Sequence, residues 1–432
     1  MISLSEPVRE FSERMRGSWR IFPFEDLLLE PVRNGIYKTK EFHGSGAKVV
    51  NMGELFAYEF ISSQEMKRVE ITPKEEISCT LKEGDLLFAR RSLVLEGAGK
   101  CSVVGKITEP TTFESSIIRA RPDQQKVVPR FLYYLFASPL GRAAVASIAT
   151  RTAVSGIRGS ELSKLALPFP DLPTQRKIAE TLSAYDDLIE NNLRRIKILE
   201  EMAQSLYREW FVHFRFPGNE STKFVDSELG QIPKGWGVSD LEKVTTKIGS
   251  GATPRGGKDS YKTDGITLIR SMNIYDYSFE FDSLAFIDPK QAAQLDNVSV
   301  EAHDVLLNIT GASVCRCAMV PSYLLPARVN QHVAIIRANT ELVDPHFLLD
   351  SINSEQNKKT FFSLAQGGAT REALTKETIC RFQILLPPRD LVFRYGRVAG
   401  AMHTQREGLQ RKNQTLRRTR DLLLPKLLQG QH

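Results

Sequence analysis

The chain has 432 residues, of which 41% are hydrophobic and 25% charged, with a formal net charge of +7. That length predicts two or three domains rather than one core, and the composition is that of a soluble globular protein. No apolar run reaches the ~18 residues of a membrane span, the polar start MISLSEPVREFSERMRGSW lacks a signal-peptide core, and the excess of cations suits a polyanionic partner. Five cysteines (Cys79, Cys101, Cys315, Cys317, Cys380) show no disulfide-like spacing and no CxxC pair. A reduced, cytoplasmic setting without a structural metal or a membrane is therefore expected.

In chain order, short β-rich runs come first: LLFARR from Leu86, CSVVGKI from Cys101 and SSIIRARP from Ser115, bounded by Gly, Pro, Asp and Asn. A helical stretch follows from Pro129, PRFLYYLFASPLGRAAVASIA. From Thr174, apolar residues recur at alternating steps of four and three: Ile178, Leu182, Tyr185, Ile189, Asn192, Ile196, Leu199, Ala203, Leu206 and Trp210. This 3.5-residue period, with one polar position at Asn192, predicts a long helix with a coiled-coil seam, a rod of roughly 60 Å. FPDLPTQ precedes the rod and Pro217-Gly218 ends it.

A second set of β-rich runs then appears, ITLIRSM, DVLLNIT and HVAIIRAN, followed by helical PHFLLDSINSEQNKKTFFSLA from Pro345. A second rod is expected from about Val392 to Leu424. Leu409, Leu416 and Leu423 are spaced by sevens with Val398 and Met402 in phase, leaving polar Gln405, Lys412 and Thr419 on the seam. A lone helix with such a stripe needs a partner, so the two rods are expected to pack on each other.

The two sets are copies. Trp19 in GSWRIFPFEDL corresponds to Trp236 in KGWGVSDLEKV, 217 residues later. KVVNMGEL matches TLIRSMNI, EGDLLFARRSLVLEGAGKCSVV around Asp85 matches AHDVLLNITGASVCRCAMV around Asp304, and SSIIRARP matches VAIIRANT. VVPRFLYYLFAS matches LVDPHFLLDSIN, and TAVSGIRGSELSKLALPFP matches REALTKETICRFQILLPP. The offset stays between 216 and 219, which chance would not maintain, so the chain is a tandem duplication.

This order of module, long helix, module, long helix resembles the specificity subunits of type I restriction–modification enzymes over nearly the whole chain. The local matches are LGQIPKGW ending at Trp236, GSGATPRGGKDSY from Gly249, DVLLNITGAS from Asp304, NQHVAIIR from Asn330 and GGATREALTKE from Gly367. LPFPDLPTQRKIAETL and the C-terminal LLLPKLLQG complete the pattern. Copy one departs from it, since it lacks a GSGATPRGG-type loop and opens with GSW rather than PKGW.

The resemblance implies two mixed α/β target-recognition domains, at 1–172 and 217–389, separated by long helices at 173–216 and 390–432 that form an antiparallel coiled coil with pseudo-twofold symmetry. It implies double-stranded DNA as partner, each module reading half of a split target while the rods set the spacing. Half-sites about one helical turn apart are expected, and a four-residue insertion in the Ile189–Leu206 region should lengthen the spacer by about one or two base pairs. Two methylation subunits, using S-adenosylmethionine, would dock on the rods. Restriction subunits would add ATP- and Mg-dependent translocation and cleavage. This chain would bind none of those cofactors and do no chemistry. Two alternatives are a specificity subunit for a fused methylase–nuclease, which genomic neighbours would reveal, and a coiled-coil scaffold with an incidental basic surface.

The residues agree with a non-catalytic role. No NPPY- or DPPY-type methyltransferase motif is present. The Gly257-Lys258 pair has Ala252 and Asp259 where a phosphate-binding loop needs Gly and Ser/Thr, and PDQQK at Pro122 lacks the second acid of a nuclease site. His43, His213, His303, His332, His346 and His403 form no HxxxH pair.

DNA reading needs cations for phosphates and polar side chains for base edges, with Arg suited to guanine and Asn or Gln to adenine. Module one offers Lys38, Lys40, Arg90, Arg91, Arg151 and Arg158. Module two offers Arg255, Lys258, Arg270, Asn273, Asn308, Thr310, Arg316 and the stretch from Gln366 to Arg371. Gly249, Gly251, Gly256 and Gly257 allow close backbone approach. The first rod balances six basic against seven acidic residues between Thr174 and Trp210, which suits a protein partner. The second carries Arg406, Arg411, Lys412, Arg417, Arg418 and Arg420 against Glu407, a stripe open to DNA, solvent or an acidic partner. Aromatic Tyr207, Trp210, Phe211 and Phe214 are expected to pack against the second module or a partner subunit rather than stack on bases.

Overall fold

A computed structural model describes Glu6, Val8, Arg9 and residues 19–150, 155–367 and 372–428. The chain divides into two compact units, Met1–Glu190 with Asn413–His432, and Asn191–Lys412. The long helices Leu172–Tyr207 and Arg389–Leu428 each supply residues to both.

In the first unit a five-stranded sheet runs in the order Leu28–Asn34, Ile117–Pro122, Leu86–Ala89, Cys101–Val104, Phe60–Ile61. Leu86–Ala89 and Cys101–Val104 are buried throughout; the first reads as a continuous apolar run, and in the second the Ser102 hydroxyl is satisfied by the Leu55 and Tyr58 carbonyls. A second sheet pairs His43–Val50 antiparallel with Arg68–Val69 and parallel with Thr111–Phe113. Arg20–Pro23, just after Trp19, closes on Ala166–Phe169 and so ties the start of the module to its end.

Pro129 begins the helix Pro129–Ala137, where its missing N–H costs nothing. Ser138 stops that helix and caps the next, Pro139–Ile148, by accepting from the Gly141 N–H. The pair bends by 76°, and no single described helix is long and apolar enough to cross a membrane. Phe24, Phe88 and Phe136 meet edge to face in the core at centroid distances of 5.0 and 4.9 Å.

The second unit repeats the plan. Thr245–Ser250, Val333–Ala338, Val305–Asn308 and Cys317–Met319 form a sheet in that order, matching the first four strands of the other unit. Ile266–Ile269 runs parallel to Ala327–Val329 and antiparallel to Ala285–Ile287, as its counterparts do. Gly237–Asp240 pairs with Gln383–Leu386, so Trp236 precedes the same closure as Trp19. Trp236, Tyr207, Trp210, Phe211 and Phe214 share one core with Phe347 and Tyr395, so the aromatics at the end of the first rod pack within this unit.

The long helices pack antiparallel inside each unit. In the first, Asn413 Nδ2 donates to the Ile189 carbonyl (3.4 Å), Arg420 pairs with Asp186, and Leu424 and Leu428 join Leu182 and Ile178 in the core. In the second, Arg406 faces Glu200 at 3.8 Å, and the Tyr395 hydroxyl lies 3.5 Å from the Ala203 carbonyl. Along the first helix Ile178, Leu182, Ile189, Asn192, Ile196, Ala203 and Trp210 are buried, with Leu199 and Leu206 half-buried, as the heptad requires.

The second helix corrects the expected phase. Leu409 is buried and Leu416 and Leu423 half-buried, but Val398 is 42% exposed, and Gln405 and Lys412 face solvent. Their places on the seam belong to His403, Arg406 and Asn413, all buried, and to Arg420. A reading that follows only leucines misses these positions, because a buried cation is tolerated only where the opposite helix supplies its counter-charge.

Candidate nucleic-acid interface

Both modules build one edge on the same backbone frame. In module one Gly35 N–H donates to the Ile117 carbonyl (3.1 Å) and Ile36 N–H to Phe113 (2.9 Å). In module two Gly251 donates to Val333 (2.9 Å) and Ala252 to Val329 (3.1 Å). A Cβ on Gly35 would sit 2.1 Å from the Phe113 carbonyl oxygen, and one on Gly251 2.1 Å from that of Val329. Only glycine fits either place, so copy one keeps the backbone of the Gly-rich loop although it lacks the motif. Arg90 N–H donates to Ser116 (2.8 Å) where Ile309 donates to His332 (3.0 Å). Ile157 donates to Arg90 (3.0 Å) where Leu374 donates to Ile309 (2.8 Å).

Each edge therefore joins four chain segments: the loop after Gly35 or Gly251, the loop after Arg90 or Ile309, the turn before Ile117 or Val333, and the segment around Gly156 or Ala373. At the other end of the same strands each unit has a bidentate ion pair. Arg121 donates Nε and Nη2 to Asp85 at 2.8 and 2.9 Å, and Arg337 donates the same atoms to Asp304 at 2.7 and 2.8 Å. The two carboxylates are buried and also cap backbone, accepting from Lys82 N–H and Glu301 N–H. The hydrogen bonds it donates to Asp304 hold the Arg337 guanidinium pKa above its ordinary value despite partial burial.

The profile described as the type I restriction modification DNA specificity domain matches residues 19–201. The MjaIX specificity subunit of Methanocaldococcus jannaschii is 26% identical over 396 residues, covering 91% of this chain and 88% of the relative. The HindI specificity subunit of Haemophilus influenzae is 21% identical over 442 residues, covering 88% and 93%. The crystal structure of a type I S subunit from M. genitalium superposes with a TM-score of 0.60 at 14% identity, covering 95% of this chain and 96% of that one. The chain is similar to type I restriction–modification specificity subunits over nearly its whole length.

In this chain the frame gathers some of the expected contact residues and withdraws others. Arg91 is exposed and bridges to Gly156, which brings it beside exposed Arg158. Arg90 is half-buried, its Nη1 3.4 Å from the Ser115 carbonyl. Lys40 is exposed, whereas Lys38 is engaged by Glu75 at 2.8 Å and lies over the Phe42 ring. The Lys38 ammonium holds the Glu75 carboxyl below its usual range. Arg255 and Lys258 project from the Gly-rich loop, and Arg316 stacks 4.3 Å from the Tyr275 ring centroid. Arg151 and Arg371 lie outside the described residues.

Asn273 and Asn308 are corrections. Both are fully buried, Asn273 bonding Arg270 N–H, Glu280 and Ser283, and Asn308 Nδ2 bonding the Ser271 carbonyl at 2.8 Å. Arg270 is half-buried, bonded to the Ser283 carbonyl and held over Tyr261. These polar side chains brace turns, because buried backbone groups there have no sheet partner.

Thr310 binds His332 Nδ1 at 2.7 Å, His332 Nε2 is 3.0 Å from Gln331 Nε2, and Gln331 accepts from Thr253. This polar chain links three of the four segments in module two. Gln331 and Thr253 are not singled out by the sequence, and His332 enters it only among histidines that form no HxxxH pair, although NQHVAIIR contains both Gln331 and His332. Tyr37, 79% exposed after Gly35, was missed because only the backbone match aligns it with Thr253. Among the described residues no group of three or more His, Cys, Asp or Glu is placed to hold a metal ion.

Proposed function

We propose that this chain reads a two-part duplex DNA target, each module contacting one half through the edge built on Gly35 or Gly251. The observation that carries the reading is the pairing of one shared backbone frame with different side chains: Tyr37, Arg91 and Arg158 on one edge, Thr253, Gln331, His332 and Arg255 on the other. A repeated scaffold with divergent tips suits two different half-targets. Exposed Arg and Lys supply phosphate contacts, and Gln331 suits an adenine edge.

The antiparallel helices offer the dock for two methylation subunits, and through them for restriction subunits. Leu188, Leu193, Ile198 and Met202 are exposed on the first helix, apolar surface that a solvated rod does not need. S-adenosylmethionine, ATP and Mg belong to those partners, and this chain contributes recognition without catalysis in the cytoplasm.

The test is methylation of genomic DNA in cells expressing the chain with its co-encoded methylation subunit, read by long-read sequencing. The expected result is an N6-methyladenine motif made of two short halves around an unspecified spacer. An assembled complex that produces no such motif would overturn the reading.

A further inference from the structure

The loop after the central strand differs between the modules in length and in chemistry. Gly99 N–H donates to Ala89 (2.7 Å) where Cys315 donates to Asn308 (2.8 Å), and both residues have positive φ, 66° and 68°. These matched points lie ten residues apart in module one (99 − 89) and seven in module two (315 − 308), so the first loop is three residues longer. Its tip carries Leu93 and Val94, which are 86% and 58% exposed. The shorter loop has Gly311, Ala312 and Ser313 instead.

The long loop is built rather than loose. Ser92 Oγ accepts from Val94 N–H (3.2 Å), and Gly97 N–H donates to the Val94 carbonyl (3.1 Å). Arg142 reaches across to the Glu96 and Ala98 carbonyls at 2.5 and 3.2 Å. A Cβ on Gly97 would sit 2.1 Å from Ser92 Oγ, so any larger residue there would displace the Ser92 side chain that holds the turn. A held frame thus presents two apolar side chains to water, next to exposed Arg91 and, through the Arg91–Gly156 bridge, Arg158.

We infer that Leu93 and Val94 are specificity-determining residues that cover thymine C5-methyl groups in the major groove of module one's half-target. The inference rests on the DNA-reading function proposed above. The flanking arginines match phosphates rather than an apolar protein face, and the thymine methyl is the apolar group that the major groove offers. Module two, with no large apolar residue at this tip, reads its half through polar groups.

The experiment uses the assembled methylation complex and duplexes carrying the motif found by methylome sequencing, with thymines of one half replaced by uracil. Wild-type complex is expected to bind about fourfold more weakly for each covered methyl that is removed. The Leu93→Ala/Val94→Ala complex is expected to bind thymine and uracil duplexes equally, and to keep its response to changes in the other half. Both side chains are exposed, so unchanged thermal unfolding of the variant shows that its fold is intact. A half-target without thymine, equal wild-type binding to both duplexes, or discrimination retained by the variant would each overturn the inference. Brightening of 2-aminopurine in the wild-type complex but not in the variant would also overturn it, because it reports an apolar wedge between bases. Failure of the wild-type chain to give any two-part motif would instead remove the DNA-reading function itself.

Discussion

Asp304 accepts two hydrogen bonds from Arg337 and one from the Glu301 N–H while fully buried, and Asp85 does the same with Arg121 and Lys82. Removing one partner of such a pair strands the other charge. Asp304→Ala is expected to cost about 3–5 kcal/mol of stability, seen as a lowered urea midpoint for its unit. A midpoint shift equivalent to under about 1 kcal/mol would mean that water replaces the carboxylate. Thiol reactivity is a second expectation at this scale. Burial raises the pKa of Cys101 and Cys317 and pushes Cys315 up to about 12, and Cys79 is buried as well. Native alkylation at neutral pH should therefore label half-buried Cys380 first, with the other four reacting only on unfolding. Rapid labelling of Cys315 would contradict the burial described for it.

Among elements, the second long helix separates charges that look alike in sequence. Arg417 and Arg418 are exposed, whereas Arg420 lies against Asp186, whose side chain is 4% exposed, and Glu59. Arg420→Ala is expected to destabilise by about 3–5 kcal/mol, and Arg418→Ala by no more than about 0.5 kcal/mol. Equal effects in chemical denaturation would place both on the same face. The seam of the first helix was legible because its core positions are apolar at a steady 3.5-residue period. That of the second was only partly legible, since Arg406, Asn413 and Arg420 lie in it and polar residues leave no hydrophobic period. The glycine loops make a parallel case. Gly251 stood out in a glycine-rich run, but Gly35 in RNGIYKTKE did not, and its need for glycine comes from the carbonyls of residues 113 and 114. Gly35→Ala is expected to lower stability by about 1–3 kcal/mol through overpacking, measured by thermal unfolding.

For the whole molecule, binding to a polyanion predicts strong salt dependence. Every phosphate that a cation neutralises adds about 0.9 to the steepness of log affinity against log salt. Arg91→Ala with Arg158→Ala should flatten that slope by nearly two units if both meet phosphate, in filter-binding or anisotropy titrations with target duplex. An unchanged slope with weakened binding would assign them to base edges instead. The duplication, the long helices and the family resemblance were open to the sequence alone, because repeats, heptads and motifs are local patterns that survive without knowledge of contacts. Which polar residues do structural work was decided only by the tertiary structure. Asn273 and Asn308 look like base-reading amides, yet they are buried bracing turns, while Gln331 and His332 reach the shared edge. A polar side chain buries only when partners distant in sequence satisfy it, and where those partners lie is settled by how the chain folds.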